Sequence, residues 1–479
     1  RDSSTSRGLG DVYKRQMQAQ HTDRQKAVPM FNAFQSKGQD DISRWLAKVS
    51  ENPIVEAFPE KIDIHPGMDS SMLLSTEMPA ILSELVSKPR TRRTVAYINV
   101  PYCETRCLYC LFYIKPYRNK EESKAFADTL IKELQLWSDK PVQKGEPVHA
   151  VYFGGGTPTA LEASDIERVI KAVRRYLPLA NDCEITYEGR LSGFGTDKME
   201  AALAGGANRF SLGVQSFDTK IRQAVGRRSD KETLIRQLEK LMSYDQAAIV
   251  IDLIYGFPFQ TLETWEEDLR IGRELNLDGI DCYQLRVFEK SPLHKYIQNG
   301  KLPPGPDHEL RAAMFQEAVN SMHEAGWKRL SISHWASNTR ERNFYNYYAK
   351  TRTDCLAFGP GAGGNLSGYG FMQHRQPDVW AKAVESGVKP IAMMTKPPLF
   401  WELGRAVAEQ LELNFFNPSQ LAHEFSEKFA TLWNPLIDNW TEAGLLAPVG
   451  NRFELTVPGQ FWQGRMTQHI LDYFKSQTK

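Results

Sequence analysis

Apolar and polar positions divide the chain into segments of two different periods. Short apolar, often β-branched runs occur at Val95–Val100, Val148–Phe153, Glu184–Tyr187, Arg209–Val214, Ala248–Tyr255 and Gly279–Val287. Each has strand length, and between them apolar residues recur three or four apart, as on a helix with one buried face. Phe126, Leu130, Leu134 and Trp137 form one such stripe, and Ile166, Ile170, Val173 and Leu177 a second. Leu234, Leu238 and Leu241 form a third, and Trp265, Leu269 and Leu275 a fourth. Six strand–helix repeats predict a parallel sheet with right-handed crossovers. Six are too few for a closed eightfold barrel, so the expectation is an α/β fold, a partial (β/α)6 TIM-like barrel over 94–335.

The flanks read differently. Residues 17–93, broken by Pro53, Pro59, Pro66 and Pro79, form an N-terminal extension. Residues 336–396, with the glycine-rich turn Phe358–Asn365, read as a substrate-side loop and linker. From 397 to 479 the pattern is mainly helical, with Leu421, Phe425, Phe429 and Leu432 on one face and a strand pair around Asn451-Arg452. Helices followed by a small hairpin predict a winged-helix-like C-terminal domain. Residues 1–16, RDSSTSRGLGDVYKRQ, lack any apolar period and read as cloning-adaptor sequence, with Met17 as the true start.

Composition narrows the function. Lys+Arg number 59 and Asp+Glu 58, so no broad basic field exists to hold nucleic acid. No apolar run reaches the roughly 18 residues that would span a membrane. Six cysteines are few for 479 residues, and three of them fall within eight positions. That is metal spacing in a reducing compartment, so a cytoplasmic protein is expected.

Those three, Cys103, Cys107 and Cys110, sit on the loop after the first predicted strand. Three thiolates suit three irons of a [4Fe–4S] cubane, and the missing fourth cysteine leaves one iron open to S-adenosylmethionine (SAM). A zinc site would want a fourth Cys or His close by, and none is evident. Other polar residues gather at the same ends of the strands: Gly154-Gly155-Gly156-Thr157-Pro158, Glu188, Gln215, Asp252 and Gln284. In parallel α/β barrels that rim carries the chemistry.

The segment Tyr97-Ile-Asn-Val-Pro-Tyr-Cys103-x3-Cys107-x-Tyr-Cys110-x-Phe112 resembles the radical SAM signature of the HemN-like superfamily, from about Thr94 to the C-terminus. By that resemblance Tyr97, Gly155 and Glu188 contact the cluster-bound SAM. Gly156, Thr157, Gln215, Arg227 and Asp252 match residues that hold a second SAM in the family, and Gln284 joins the cofactor-binding set. Taken alone, without the resemblance, Asp252 and Arg227 read sooner as a capped strand end and a surface arginine.

Within the superfamily, Leu111-Phe112 replaces the Gly-Cys normal in coproporphyrinogen III oxidases. Pro101–Tyr113 and Leu455-Thr-Val-Pro-Gly-Gln-Phe-Trp462 look most like the HutW/ChuW group of haem-degrading methyltransferases, the anaerobilin synthases. Haem chaperones of the HemW type and the oxidases are the alternatives. The resemblance implies anaerobic opening of haem to a methylated linear tetrapyrrole, with release of iron. An adenosyl radical takes hydrogen from the methyl group of the second SAM, and the resulting carbon adds to a meso position. It also implies a flavodoxin or ferredoxin donor and a haem-trafficking or tetrapyrrole-reductase partner.

Haem contacts are sought near Asn338–Tyr348. His334 offers an axial ligand or a structural histidine. Arg340, Arg342 and Tyr345 offer propionate pairing and stacking, or form an ordinary aromatic surface loop.

Overall fold

The computed structural model describes residues 42–62 and 67–478. The adaptor-like segment 1–16, Met17 and the first part of the 17–93 extension lie outside the described residues. Two compact units are present: one spans Asp69–Trp401, and the other combines the chain up to Met68 with Glu402–Lys479.

The first unit is built on one sheet of thirteen strands. In chain order these are β1 (Ser71–Met72), β2 (Thr94–Val100), β3 (Val148–Gly155), β4 (Leu179–Gly189), β5 (Arg209–Gln215), β6 (Ala248–Tyr255) and β7 (Gly279–Gln284). They continue with β8 (Lys328–Arg329), β9 (His334–Ala336), β10 (Asp354–Phe358), β11 (Gly363–Leu366), β12 (Tyr369–Gln373) and β13 (Ile391–Lys396). Strands β2 to β7 lie side by side in parallel, each expected from its apolar run. They form the partial barrel, with β9 and then β8 added antiparallel beyond β7.

The crossover helices are α1 (Lys120–Ser138), α2 (Ala163–Tyr176), α3 (Thr196–Gly205), α4 (Thr219–Ala224), α5 (Lys231–Met242) and α6 (Leu262–Glu274). Each of the four apolar stripes turns inward: Leu130 and Leu134, Ile166 and Ile170, Leu234 and Leu238, Trp265 and Leu269 are all buried. Thr261 and Thr264 cap α6 reciprocally, which fixes where that helix starts.

The segment 336–396, expected as loop and linker, is ordered secondary structure. Its helix α7 (Phe344–Ala349) is followed by β10, a run of five buried residues pairing parallel with β2. Strands β11, β12 and β13 then extend the sheet antiparallel, and β1 closes that side. The parallel part therefore has seven strands, the seventh entering from the far end of the chain on the open side of β2.

In the second unit, helices at Trp401–Glu412, Pro418–Glu424 and Asn434–Glu442 precede the hairpin β15 (Leu446–Val449) and β16 (Arg452–Leu455). The short β14 (Phe415–Phe416) pairs with β16, giving the winged-helix-like pattern. The stripe from Leu421 to Leu432 is broken: Phe425 ends a helix, and Glu427–Ala430 is a 3-10 turn. Buried tryptophans dominate this core, Trp433, Trp440 and Trp462 among them. Phe58 meets Trp462 edge-on at 5.5 Å, so part of the N-terminal extension belongs to this unit.

Candidate functional site: a cysteine loop at the barrel rim

Strand β2 ends in Pro101, and the chain turns into the loop that carries Cys103, Cys107 and Cys110. Backbone bonds hold this loop on both sides. The amide of Lys115 donates to Pro101 at 2.8 Å, and that of Leu108 to Val225 at 3.1 Å. Cys103 and Cys107 are buried, and Cys110 is half-buried. Cys103 Sγ lies 3.1 Å from Thr157 Oγ1.

Cys107 is the most polarised of the three. Arg190 Nη2 donates to its sulfur at 3.2 Å and Nη1 to Thr105 at 2.8 Å. Burial pushes the Cys107 thiol up, but Arg227 and Arg190 outweigh it and hold the thiol below its ordinary value. Burial alone dominates at Cys103 and Cys110, raising both. Arg227, predicted on the SAM side, also donates through Nε to the Tyr109 hydroxyl at 3.3 Å and through Nη1 to the Gly213 carbonyl.

The glycine motif ends β3 beside this loop, and close packing explains each glycine. A Cβ at Gly154 would stand 2.6 Å from a Glu188 oxygen, and one at Gly156 would stand 2.6 Å from the Tyr102 carbonyl. Gly155 has φ +104°, and its Cβ would meet Asn99 Oδ1 at 2.1 Å. Asn99 cannot yield freely, because its Nδ2 donates to Pro360 at 2.6 Å. Gly155→Ala is therefore expected to abolish SAM cleavage while the cluster spectrum persists, since the distortion falls on the backbone of the cradle. Unchanged 5′-deoxyadenosine formation would remove Gly155 from the site.

Across the barrel mouth stand two carboxylates. Glu188, near the end of β4, is pushed up to about 8 by burial and by Asp252. Asp252, on β6, rises to about 7 through burial and the neighbouring Asp281. Ser211 donates to Asp252 at 3.4 Å. Tyr97 hydrogen-bonds Asn99 at 3.3 Å and stacks near Tyr152, rings 6.3 Å apart. Gln284, at the end of β7, lies 3.5 Å from the Tyr255 hydroxyl.

Gln215 is conformationally unusual, with φ +74° at the end of β5. Its Oε1 is buried and has no hydrogen-bond partner. A buried acceptor of this kind normally has one. The thiols beside cations, the glycine cradle and the orphaned Gln215 oxygen fit an iron–sulfur cluster with SAM.

The residues expected to face haem divide between the barrel interior and its far end. His334 is fully buried in β9, its Nδ1 2.8 Å from Asp281 and its Nε2 3.1 Å from Glu341. The Asp281 contact is too poorly aligned to count as a hydrogen bond, but both ring nitrogens face carboxylates. No nitrogen is left for an axial bond. Arg340 pairs with Asp245 at 2.5 Å and Arg342 with Asp182 at 3.3 Å. Asp245 precedes β6 and Asp182 lies early in β4, so these arginines sit at the N-terminal end of the barrel, away from the cysteine loop. Helix α7 plugs that end: Glu184 accepts the amides of Phe344 and Tyr345 at 3.1 and 3.2 Å. Of the four, Tyr345 and His334 reach inward: Tyr345 lies 4.8 Å from Tyr152 and 6.0 Å from Tyr97, and His334 stands in register with Asp281, itself in register with Asp252.

The sequence reading passed over Arg190 and Asn99, although both follow or end strands at the rim. Cys183, Cys282 and Cys355 are buried, and burial pushes all three thiols up, Cys183 and Cys355 to about 12. They are small apolar fillers.

Comparison with known proteins places this arrangement. The Radical SAM superfamily pattern matches residues 97–271, a span running from Tyr97 through the cysteine loop to Asp252 and beyond. Anaerobilin synthase of Escherichia coli O157:H7 is 40% identical over 379 residues, covering 79% of this chain and 84% of that protein. Radical S-adenosyl methionine domain-containing protein 1, mitochondrial, of Bos taurus is 30% identical over 62% of this chain and 68% of its own. Among solved structures, coproporphyrinogen III oxidase (HemN) from Escherichia coli shares the fold, with TM-score 0.71 and 20% identity over 85% of this chain and 96% of that one. The cysteine loop, the glycine cradle and the extent of these matches agree, and the chain belongs to the radical SAM superfamily, in the family that includes anaerobilin synthase.

Proposed function

We propose that this radical SAM enzyme is a C-methyltransferase that opens haem without oxygen, yielding a methylated linear tetrapyrrole and free iron at the expense of two SAM molecules. The observation that carries this reading is the 40% identity to anaerobilin synthase over 84% of that protein. When bound, the cluster and its SAM supply a carbon radical. The chain's own residues do the placing. Cys103, Cys107 and Cys110 hold the cluster, with Arg190 and Arg227 balancing thiolate charge. Tyr97, Gly155 and Glu188 seat the first SAM. Thr157, Gly156, Gln215, Arg227 and Asp252 seat the second, and the unpartnered Gln215 oxygen supports this. Alignment of a radical with one methyl group and one ring carbon is the main task, because correct placement alone lowers such a barrier by several kcal/mol, roughly 7–11 at best.

A flavodoxin or ferredoxin is the proposed electron donor. The exposed Leu111, Phe112 and Tyr113 next to Cys110 give such a donor an approach close to the cluster. A haem-trafficking or tetrapyrrole-reductase protein is the proposed partner for substrate and product. Among the described residues no helix is long and apolar enough to cross a membrane.

The deciding assay is anaerobic: reconstituted protein, haem, SAM and reduced flavodoxin, followed by absorbance and mass. Loss of the Soret band with a methylated open-chain product is expected. Haem bound but unchanged would make the protein a chaperone, and vinyl formation from coproporphyrinogen would make it a decarboxylase.

Asp252 separates the two SAM roles. Asp252→Ala is expected to lower methylated product more than it lowers 5′-deoxyadenosine, because uncoupled cleavage needs only the first SAM. Equal loss of both products would move Asp252 into the first site or the scaffold.

A further inference from the structure

The inner face of the barrel does not stop at β2. In register across the sheet run Ala150, Val95, Cys355, Asn365, Gly370 and Thr395, from β3 out to β13. Side chains alternate faces along a strand, so Gly363, Met372 and Met393, two residues away, share that face. With Cys355, Asn365, Gly370 and Thr395 these three line an open groove of about 400 Å³, with Tyr345 at its end.

Four features of this groove point to a flat, apolar ligand. Two of its inward positions, Gly363 and Gly370, carry no side chain, which leaves the floor level. Met372 and Met393 border it with soft, adaptable thioethers. Asn365 Oδ1 is buried in the floor with no hydrogen-bond partner. At the rim, exposed Arg375 reaches to 3.6 Å from the Met372 sulfur, placing a cation beside an otherwise uncharged surface. The groove also adjoins the site: Tyr97 pairs with Ala357 on β10, and β11 is the next strand. Two strand spacings, about 10 Å, separate Tyr97 from Gly363.

We infer that this groove on β11–β13 seats the porphyrin plane of the substrate, with Arg375 pairing one propionate. The inference rests on the haem reading above and supplies the residues that 334–348 failed to supply.

Gly363 makes the proposal testable without harming the fold. It has no positive φ, and a Cβ there would meet nothing nearer than Phe371 O at 3.8 Å. A side chain at 363 would therefore stand in the groove. Gly364, by contrast, could not be changed, since its Cβ would fall 2.4 Å from the Cys355 carbonyl.

Haem is titrated into the anaerobically reconstituted full chain and read by the Soret difference spectrum. Gly363→Leu is expected to raise the haem Kd by about tenfold or more, and Gly363→Ala by about twofold, through lost contact in the pocket. Arg375→Ala is expected to raise it by about fivefold, as for an exposed ion pair. SAM cleavage without haem stays at the parent rate in all three. Parent-like haem affinity and spectra in Gly363→Leu and Arg375→Ala would overturn the groove while leaving the haem reading intact. A parent protein that binds no haem would overturn that reading first, and the groove with it. If Gly363→Leu lost its cluster, the surface variant Arg375→Ala decides alone: unchanged affinity there overturns the proposal.

Discussion

Cys107→Ala protein, reconstituted anaerobically with iron and sulfide, shows no thiolate-to-iron band near ~400 nm and forms no 5′-deoxyadenosine. The effect is total because, in the proposed site, Cys103, Cys107 and Cys110 would supply the cluster's three protein ligands, and no other cysteine is near. Cys183, Cys282 and Cys355 are buried elsewhere in the sheet. Cys107 is the most sensitive position, since Arg190 and Arg227 are arranged around its charge. Its loss leaves both guanidinium groups without the sulfur they share. A triple Cys→Ala protein that still held about four irons and cleaved SAM would refute the assignment of the site.

Glu341→Ala destabilises the barrel unit by about 3–5 kcal/mol, and lowers Tm on the order of 10 °C. Glu341 is buried and accepts from Arg209 at 2.9 Å and from His334 at 3.1 Å. Arg209 is itself 1% exposed, so removal of the carboxylate strands a cation where water cannot reach it. Burial raises the Glu341 carboxyl, yet Arg209 and His334 bring it down to about 2. Glu341→Gln keeps the hydrogen-bond geometry and is expected to lose less. A melting curve for Glu341→Ala that matches the parent would show the network to be ornamental.

The same network sets a pH dependence. Burial lowers the His334 pKa, but Asp281 and Glu341 together raise it from 6.5 to about 9. A folded pKa above the unfolded one stabilises the protonated fold. That contribution is complete below about pH 6.5 and fades as pH rises through about 9. The parent should therefore lose stability across that window, and His334→Gln should lose less.

Much of this was legible from the chain because local pattern carried it. Ala248–Tyr255 is a strand from its first residue to its last, and the stripe Ile166, Ile170, Val173 turned inward as a helix. The cysteine loop was legible because its three ligands lie within eight residues and need no tertiary information. The haem loop was misread for the opposite reason. His334 looks free in sequence, but its partners come from Asp281 on the adjacent strand and Glu341 on the next turn of chain. Arg340 and Arg342 sit beside aromatics, yet Asp245 and Asp182, some 95 and 160 positions away, fix them at the other end of the barrel. Strands β11 and β12 escaped notice because glycine-containing, half-buried segments such as Gly363–Leu366 show no apolar period. Their partners are set by register alone.

The thirteen-stranded sheet never closes on itself, so it must end twice. At one end stands β1, Ser71–Met72, and at the other β8, Lys328–Arg329. Each outermost strand is two residues long, and the second is made of two cations. An unpaired sheet margin invites another chain to add a strand, and long flat margins are where proteins clump. Here the widest β structure in the molecule offers only a few backbone groups at each margin, one of them guarded by charge. The fold thus keeps an open barrel, with its lateral groove, while offering little backbone at either margin for another chain to extend.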